Sequence, residues 1–126
     1  MPKVMLVEDD KTMLSLLRML LEFEGYQVAV WEGDTETATV GNILGDLRRE
    51  KPDLVLLDAH LHMLSGIDLL TQIRADSTFD HTRVLMSSGM ELSNECCQEG
   101  ADGFILKPYM PDELIEKIST MLSDVR

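Results

Sequence analysis

Pro52-Asp53-Leu54-Val55-Leu56-Leu57-Asp58 is the stretch that decides the fold. Four apolar residues in a row, closed by an acid, describe a strand buried on both faces. The same pattern opens the chain, where Val4-Met5-Leu6-Val7 runs into Glu8-Asp9-Asp10. A carboxylate just after such a strand stands at its carboxyl end. In an open α/β sheet that edge is the ligand crevice. Two strands ending in acid therefore bring Glu8, Asp9 and Asp58 together. Like charges that close are unfavourable unless a cation sits among them. A hard divalent cation such as Mg²⁺ suits an all-oxygen donor set.

Outward from these two strands, strand and helix signals alternate. A first strand covers about 3–7. Met13, Leu14, Leu16, Leu17, Leu20 and Leu21 then recur at helical spacing, and Gly25 stands where a helix stops. Residues 26–31 form a second strand, with Val28 and Val30 on one face. Gly33-Asp34-Thr35 is a turn or cap, and a second helix runs from about 36 to 50, weakened by Gly41 and Gly45. Pro52 ends it, and 53–57 is the third strand. After Asp58 comes a loop, then Ser65 as the cap of a third helix whose buried face carries Ile67, Leu70 and Ile73. Residues 84–87 are a fourth strand, 91–99 a short helix closed by Gly100, and 103–106 a fifth strand. Leu114, Ile115, Ile118, Met121 and Leu122 mark the last helix, with Pro111 near its first turn. Five strand–helix units imply a parallel sheet covered on both faces by right-handed crossovers.

At 126 residues the chain is expected to be one domain, 1–126, with no linker or repeat. Its net charge of −12 argues against direct nucleic-acid binding, which needs a basic surface. Nowhere do eighteen apolar residues run together, so no membrane span is expected. Met1-Pro2-Lys3 leads straight into a strand and leaves no room for a signal peptide. Cys96 and Cys97 are neighbours, a geometry that strains a disulfide, and no C-x-x-C motif is present. They are expected to be two reduced thiols on a short helix, with a redox sensor as the alternative; both suit a cytoplasmic protein.

Two more polar residues fall at strand ends: Ser88 after the fourth and Lys107 after the fifth. One sheet edge then holds an acid cluster, a hydroxyl and an ammonium, a set suited to phosphoryl chemistry on a nucleophilic carboxylate. With these residues in hand, the chain resembles the receiver domain of two-component response regulators. The resemblance rests on Leu6-Val7-Glu8-Asp9-Asp10, on Pro52 to Asp58, on Ser88-Gly89, and on Gly100-Ala101-Asp102-Gly103-Phe104-Ile105-Leu106-Lys107-Pro108. It implies a flavodoxin-like (CheY-like) doubly wound α/β fold, with five parallel strands in the order 2-1-3-4-5 and five helices. Asp58 is then the acceptor of a phosphoryl group from a histidine kinase or phosphotransfer protein. Asp9 binds Mg²⁺ directly, Glu8 mainly through water, and the His60 backbone carbonyl is a further ligand. Ser88 and Lys107 contact the phosphoryl oxygens, and Lys107-Pro108 is a cis peptide. Ser88 and Phe104 form the switch, read out on the face of the fourth helix, fifth strand and fifth helix. The implied output is a downstream protein or effector domain, through a monomer or a phosphorylation-dependent dimer. The domain itself is a signalling module, not an enzyme.

The chain departs from the family pattern in several places. His62 stands where a proline is usual, and Ser65 where an acidic or amide residue is usual. The stretch 88–100 is shorter than usual, and the segment between the second and third strands is longer. His60 and Met90 occupy positions that tune dephosphorylation in this family. Met90 offers no hydrogen bond to an attacking water, so a long-lived phosphoryl group is expected.

Other readings compete residue by residue. Acids at 8–10 also suit capping of the first helix, a role assigned here to Asp10. Phe104 is equally a packed aromatic. His60, His62 and His81 lack the placed third ligand that a transition-metal site needs. A metal-dependent phosphohydrolase requires a second acid near the nucleophile, which Asp58-Ala59-His60 lacks. A flavodoxin-like cofactor protein requires a phosphate-cradling loop after the first strand, where Glu8-Asp9-Asp10 repels phosphate.

Overall fold

Alternation along the strands sorts the core into two halves, one on each side of a single sheet. In the first strand, β1 (Lys3–Val7), Val4 and Leu6 face one side while Met5 and Val7 face the other. The third strand, β3 (Leu54–Asp58), repeats this with Leu54 and Leu56 against Val55 and Leu57. One half is closed by α1 (Lys11–Phe23) and α5 (Pro111–Ser123), through Leu17, Leu21, Leu114 and Ile118. The other is closed by α2 (Val40–Glu50), α3 (Gly66–Ala75) and α4 (Ser93–Gln98), through Ile43, Leu47, Leu70, Ile73 and Cys96.

The computed structural model describes residues 2–33, 39–61 and 64–123. Asp34-Thr35, the helix start expected near Glu36, and His62 lie outside them. Besides β1 and β3, the main sheet contains β2 (Gln27–Val30), β6 (Arg83–Ser88) and β7 (Gly103–Leu106). Its order is β2-β1-β3-β6-β7 and every pairing is parallel, the expected 2-1-3-4-5 of a doubly wound CheY-like sheet.

Four details differ from the sequence reading. The loop after Asp58 contains a small antiparallel pair, β4 (His60–Leu61) and β5 (Leu64–Ser65). A 3-10 turn, Ser77–Phe79, follows α3 and buries Phe79. The helix expected over 91–99 is shorter, Ser93–Gln98; Glu91 stays outside it, its carboxylate accepting from the Ser93 amide at 2.9 Å. The helix expected from about 36 starts at Val40, because Thr39 is extended and its side chain caps the first turn by accepting from the Asn42 amide; the caps of α1 and α3 are those expected. Asp10 accepts from the Met13 amide and Ser65 from the Asp68 amide. Gly25 and Gly100 carry the positive φ angles that end α1 and α4.

Candidate functional site

The register of β1 and β3 sets Val7 beside Leu57, so the residues that follow, Glu8 and Asp58, emerge together at the carboxyl edge. Both are buried, at 6% and 7% exposure, and Asp9 beside them is partly exposed. One carboxylate oxygen from each of the three lies within 4.8 Å of the others, close enough to share a single cation. The donor set is all oxygen and anionic, which fits a hard divalent ion.

Lys107, at the end of β7, reaches across this edge. Its Nζ donates to Glu8 Oε1 at 2.8 Å and to Asp58 Oδ2 at 3.2 Å. Burial disfavours the ammonium, but its bonds to Glu8 and the charge of Asp58 outweigh that and raise its pKa. Burial pushes the Glu8 carboxyl up; its bond to Lys107 pulls the other way and the Asp58 charge adds to the rise. The second Glu8 oxygen accepts from the backbone amides of Asp9 and Asp10, at 3.1 and 3.3 Å. Asp58 Oδ1 accepts from the His60 amide at 3.0 Å. The Lys107–Pro108 peptide is cis.

The two serines separate. Ser87 is the register partner of Asp58, whereas Ser88 pairs with Leu106 next to the lysine. Both are buried, and the Ser88 hydroxyl accepts from the Met90 amide at 3.0 Å. Phe104 pairs with Met86 and is half-buried against the α2–α3–α4 half of the core. His60 is exposed.

Two contributors were not singled out from sequence. A Cβ at Gly66 would stand 2.0 Å from the Asp58 carbonyl oxygen, so only glycine lets α3 start against the backbone of the acid. The visible signal was the Ser65-Gly66 helix start, but the close approach needs the fold. Tyr109 lines a small hollow with Glu8, Asp58 and Ser87, and burial raises the pKa of its phenol. Nothing in the local pattern pointed to it.

Comparison with known proteins places this constellation. The family described as response regulator receiver domain matches residues 4–119. The chain is 31% identical over 120 residues to the DNA-binding response regulator MtrA of Mycobacterium tuberculosis H37Rv, covering 95% of this chain and 50% of that protein. It is 38% identical over 125 residues to the transcriptional regulatory protein CpxR of Escherichia coli K12, covering 97% and 50%. The chain thus spans about half the length of the curated relatives it matches. Among solved structures it is similar in fold to the receiver domain of a Pseudomonas aeruginosa PAO1 sensor histidine kinase, a structure with magnesium coordinated in the active-site cleft. The TM-score is 0.81, the identity 21%, and 98% of each chain is covered. With the family matched over nearly all of its length, the chain belongs to the response regulator receiver domains of two-component signalling.

Proposed function

We propose that residues 1–126 act as one receiver domain in which Asp58 accepts a phosphoryl group from a histidine kinase or phosphotransfer protein. The observation that carries this is the Asp58 carboxylate, buried within cation-sharing distance of Glu8 and Asp9 and bonded to Lys107. In the transfer an Asp58 oxygen bonds to phosphorus and the donor nitrogen leaves. Asp9, Asp58 and the His60 carbonyl, with Glu8 mainly through water, would hold Mg²⁺, which when bound would offset the charge of the phosphoryl oxygens. Lys107 offers a second positive centre, and the Ser88 hydroxyl donates to a third oxygen. Because the Ser88 hydroxyl is held by the Met90 amide, its movement toward the phosphoryl group releases the start of the loop leading to α4. Phe104 then repacks, and the α4–β7–α5 face carries the signal.

The partners follow the same reading. On α1, Leu16, Met19 and Phe23 are 60%, 69% and 87% exposed. At helical spacing they form an apolar strip on the outer face, suited to a helical phosphodonor protein. The output is a downstream protein or effector domain, through a monomer or a phosphorylation-dependent dimer. Among the described residues no helix is long and apolar enough to cross a membrane. The domain is a switch that acts in the cytoplasm and does not itself bind nucleic acid. Met90 is 60% exposed and its thioether does not orient a water, so the phosphoryl group is long-lived; a lifetime of seconds in purified protein contradicts this.

The deciding experiment is incubation with Mg²⁺ and acetyl phosphate, read by intact mass, with beryllofluoride as a parallel non-covalent probe. A gain of one phosphoryl group is expected, lost in Asp58→Asn and on chelation. Labelling that survives the substitution overturns the assignment.

A further inference from the structure

Four polar side chains are buried at the carboxyl edge of the sheet: Glu8, Asp58, Ser87 and Ser88. Glu8 and Asp58 share the Lys107 ammonium, and the Ser88 hydroxyl is held by the Met90 amide. Ser87 is 2% exposed, and its hydroxyl forms no hydrogen bond with another described residue. A buried hydroxyl left without a partner is unfavourable. The stripe it stands in is otherwise apolar. Along β1, β3 and β6 the side chains turned toward α1 and α5 include Leu6, Leu56 and Leu85. Side chains two residues apart on a strand share a face. The next rung on that face is therefore Glu8, Asp58 and Ser87, and these three line one small hollow together with Tyr109. Ser88 alternates to the other face, with Met86.

The register places Ser87 directly beside Asp58. Neighbouring strands lie about 4.8 Å apart, so rotation about the single Ser87 side-chain torsion carries the hydroxyl to the carboxylate. At rest each Asp58 oxygen has one donor, the His60 amide on Oδ1 and Lys107 on Oδ2. A carboxylate oxygen accepts two. Once a phosphoryl group draws Lys107 to its own oxygens, Asp58 is short of a donor. From these observations we infer that Ser87 is a positioning residue for dephosphorylation, its hydroxyl donating to the Asp58 carboxylate as the phosphoryl group departs. The inference rests on Asp58 as the phosphoacceptor. In the departing step a water oxygen bonds to phosphorus and the bond from phosphorus to the Asp58 oxygen breaks. Its electron pair returns to the carboxylate, and the water proton leaves with the released phosphate. Negative charge grows on Asp58, and a hydrogen bond to it strengthens as the charge does. Acquisition of the phosphoryl group runs the other way. The carboxylate loses charge, so the same donor brings no acceleration there.

This asymmetry is what the test reads. The parent, Ser87→Ala and Ser87→Thr, each checked for an unchanged fold by its amide spectrum, are labelled with acetyl phosphate and Mg²⁺. The donor is then removed and loss of the phosphoryl mass is followed. Ser87→Ala should keep its label about three- to tenfold longer than the parent. Ser87→Thr, which retains the hydroxyl, should decay at the parental rate, and neither variant should label more slowly. A parent chain that takes no label removes Asp58 as acceptor and this inference with it. A labelled parent with equal decay in Ser87→Ala, with slow decay in Ser87→Thr, or with slowed labelling in Ser87→Ala overturns the role of Ser87 alone.

Discussion

Burial holds the Glu8 carboxyl above the ordinary carboxylate range, and this sets the pH behaviour of the acid cluster. Between its unfolded value of 4.5 and the raised folded value, the native state keeps a proton that the unfolded chain releases. Stability attributable to Glu8 therefore falls as pH rises through that window and stays low above it. In EDTA, Glu8→Gln should remove this fall, so that its urea-denaturation profile over pH 4–7 lies progressively above that of the parent; parallel profiles would refute the assignment. A bound cation offsets the same penalty. At a hundredfold excess over Kd, Mg²⁺ should add ~2.7 kcal/mol. For a domain this size that is roughly 8–10 °C in Tm, and Asp9→Asn should lose most of it in a thermal melt. At this scale the sequence was informative for Glu8, Asp9, Asp58 and Lys107, because each closes an apolar run and strand ends converge by topology. It was silent on Tyr109 and on the Gly66 approach, which depend on how a loop returns to Asp58.

Elements were legible where their pattern was local. The buried runs 4–7, 54–57 and 84–87 became central strands, and Pro111, at the first position of α5, marked its start. The short β4–β5 pair escaped because two-residue strands have no periodicity to detect. The end of α2 shows a different conflict. Pro52 was read as the stop, but the helix closes at Lys51, which adopts the left-handed conformation at φ 51°. A non-glycine residue there pays a steric penalty. Lys51→Gly should stabilise the domain by about 0.5–1 kcal/mol, the relief being partly offset by the freer unfolded chain. Chemical denaturation would show it as a higher midpoint at unchanged slope; a lower midpoint would mean that the Lys51 side chain matters more than its backbone.

Across the whole molecule, the edge opposite the acid cluster is held by one guanidinium. Arg74 of α3 donates to the carbonyls of Gly100, Phe79 and Thr82, at 2.9, 3.1 and 2.7 Å. It also pairs with Asp102 at 2.8 Å, and the same Asp102 oxygen accepts the Val84 amide. Two stretches, 74–84 and 100–102, meet there, and the pairing between them has no local pattern to announce it. Arg74→Ala leaves carbonyls of a partly buried site without their donor and should cost about 2–3 kcal/mol. Arg74→Lys should recover only a fraction, since an ammonium lacks the fork; equal stability of all three proteins in urea would exclude the role. The Lys107–Glu8 bond spans a sequence separation of 99. Everything from Glu8 to Lys107 must be in place before this contact forms, so a fragment that stops short of Lys107 leaves the Glu8 carboxylate without its ammonium.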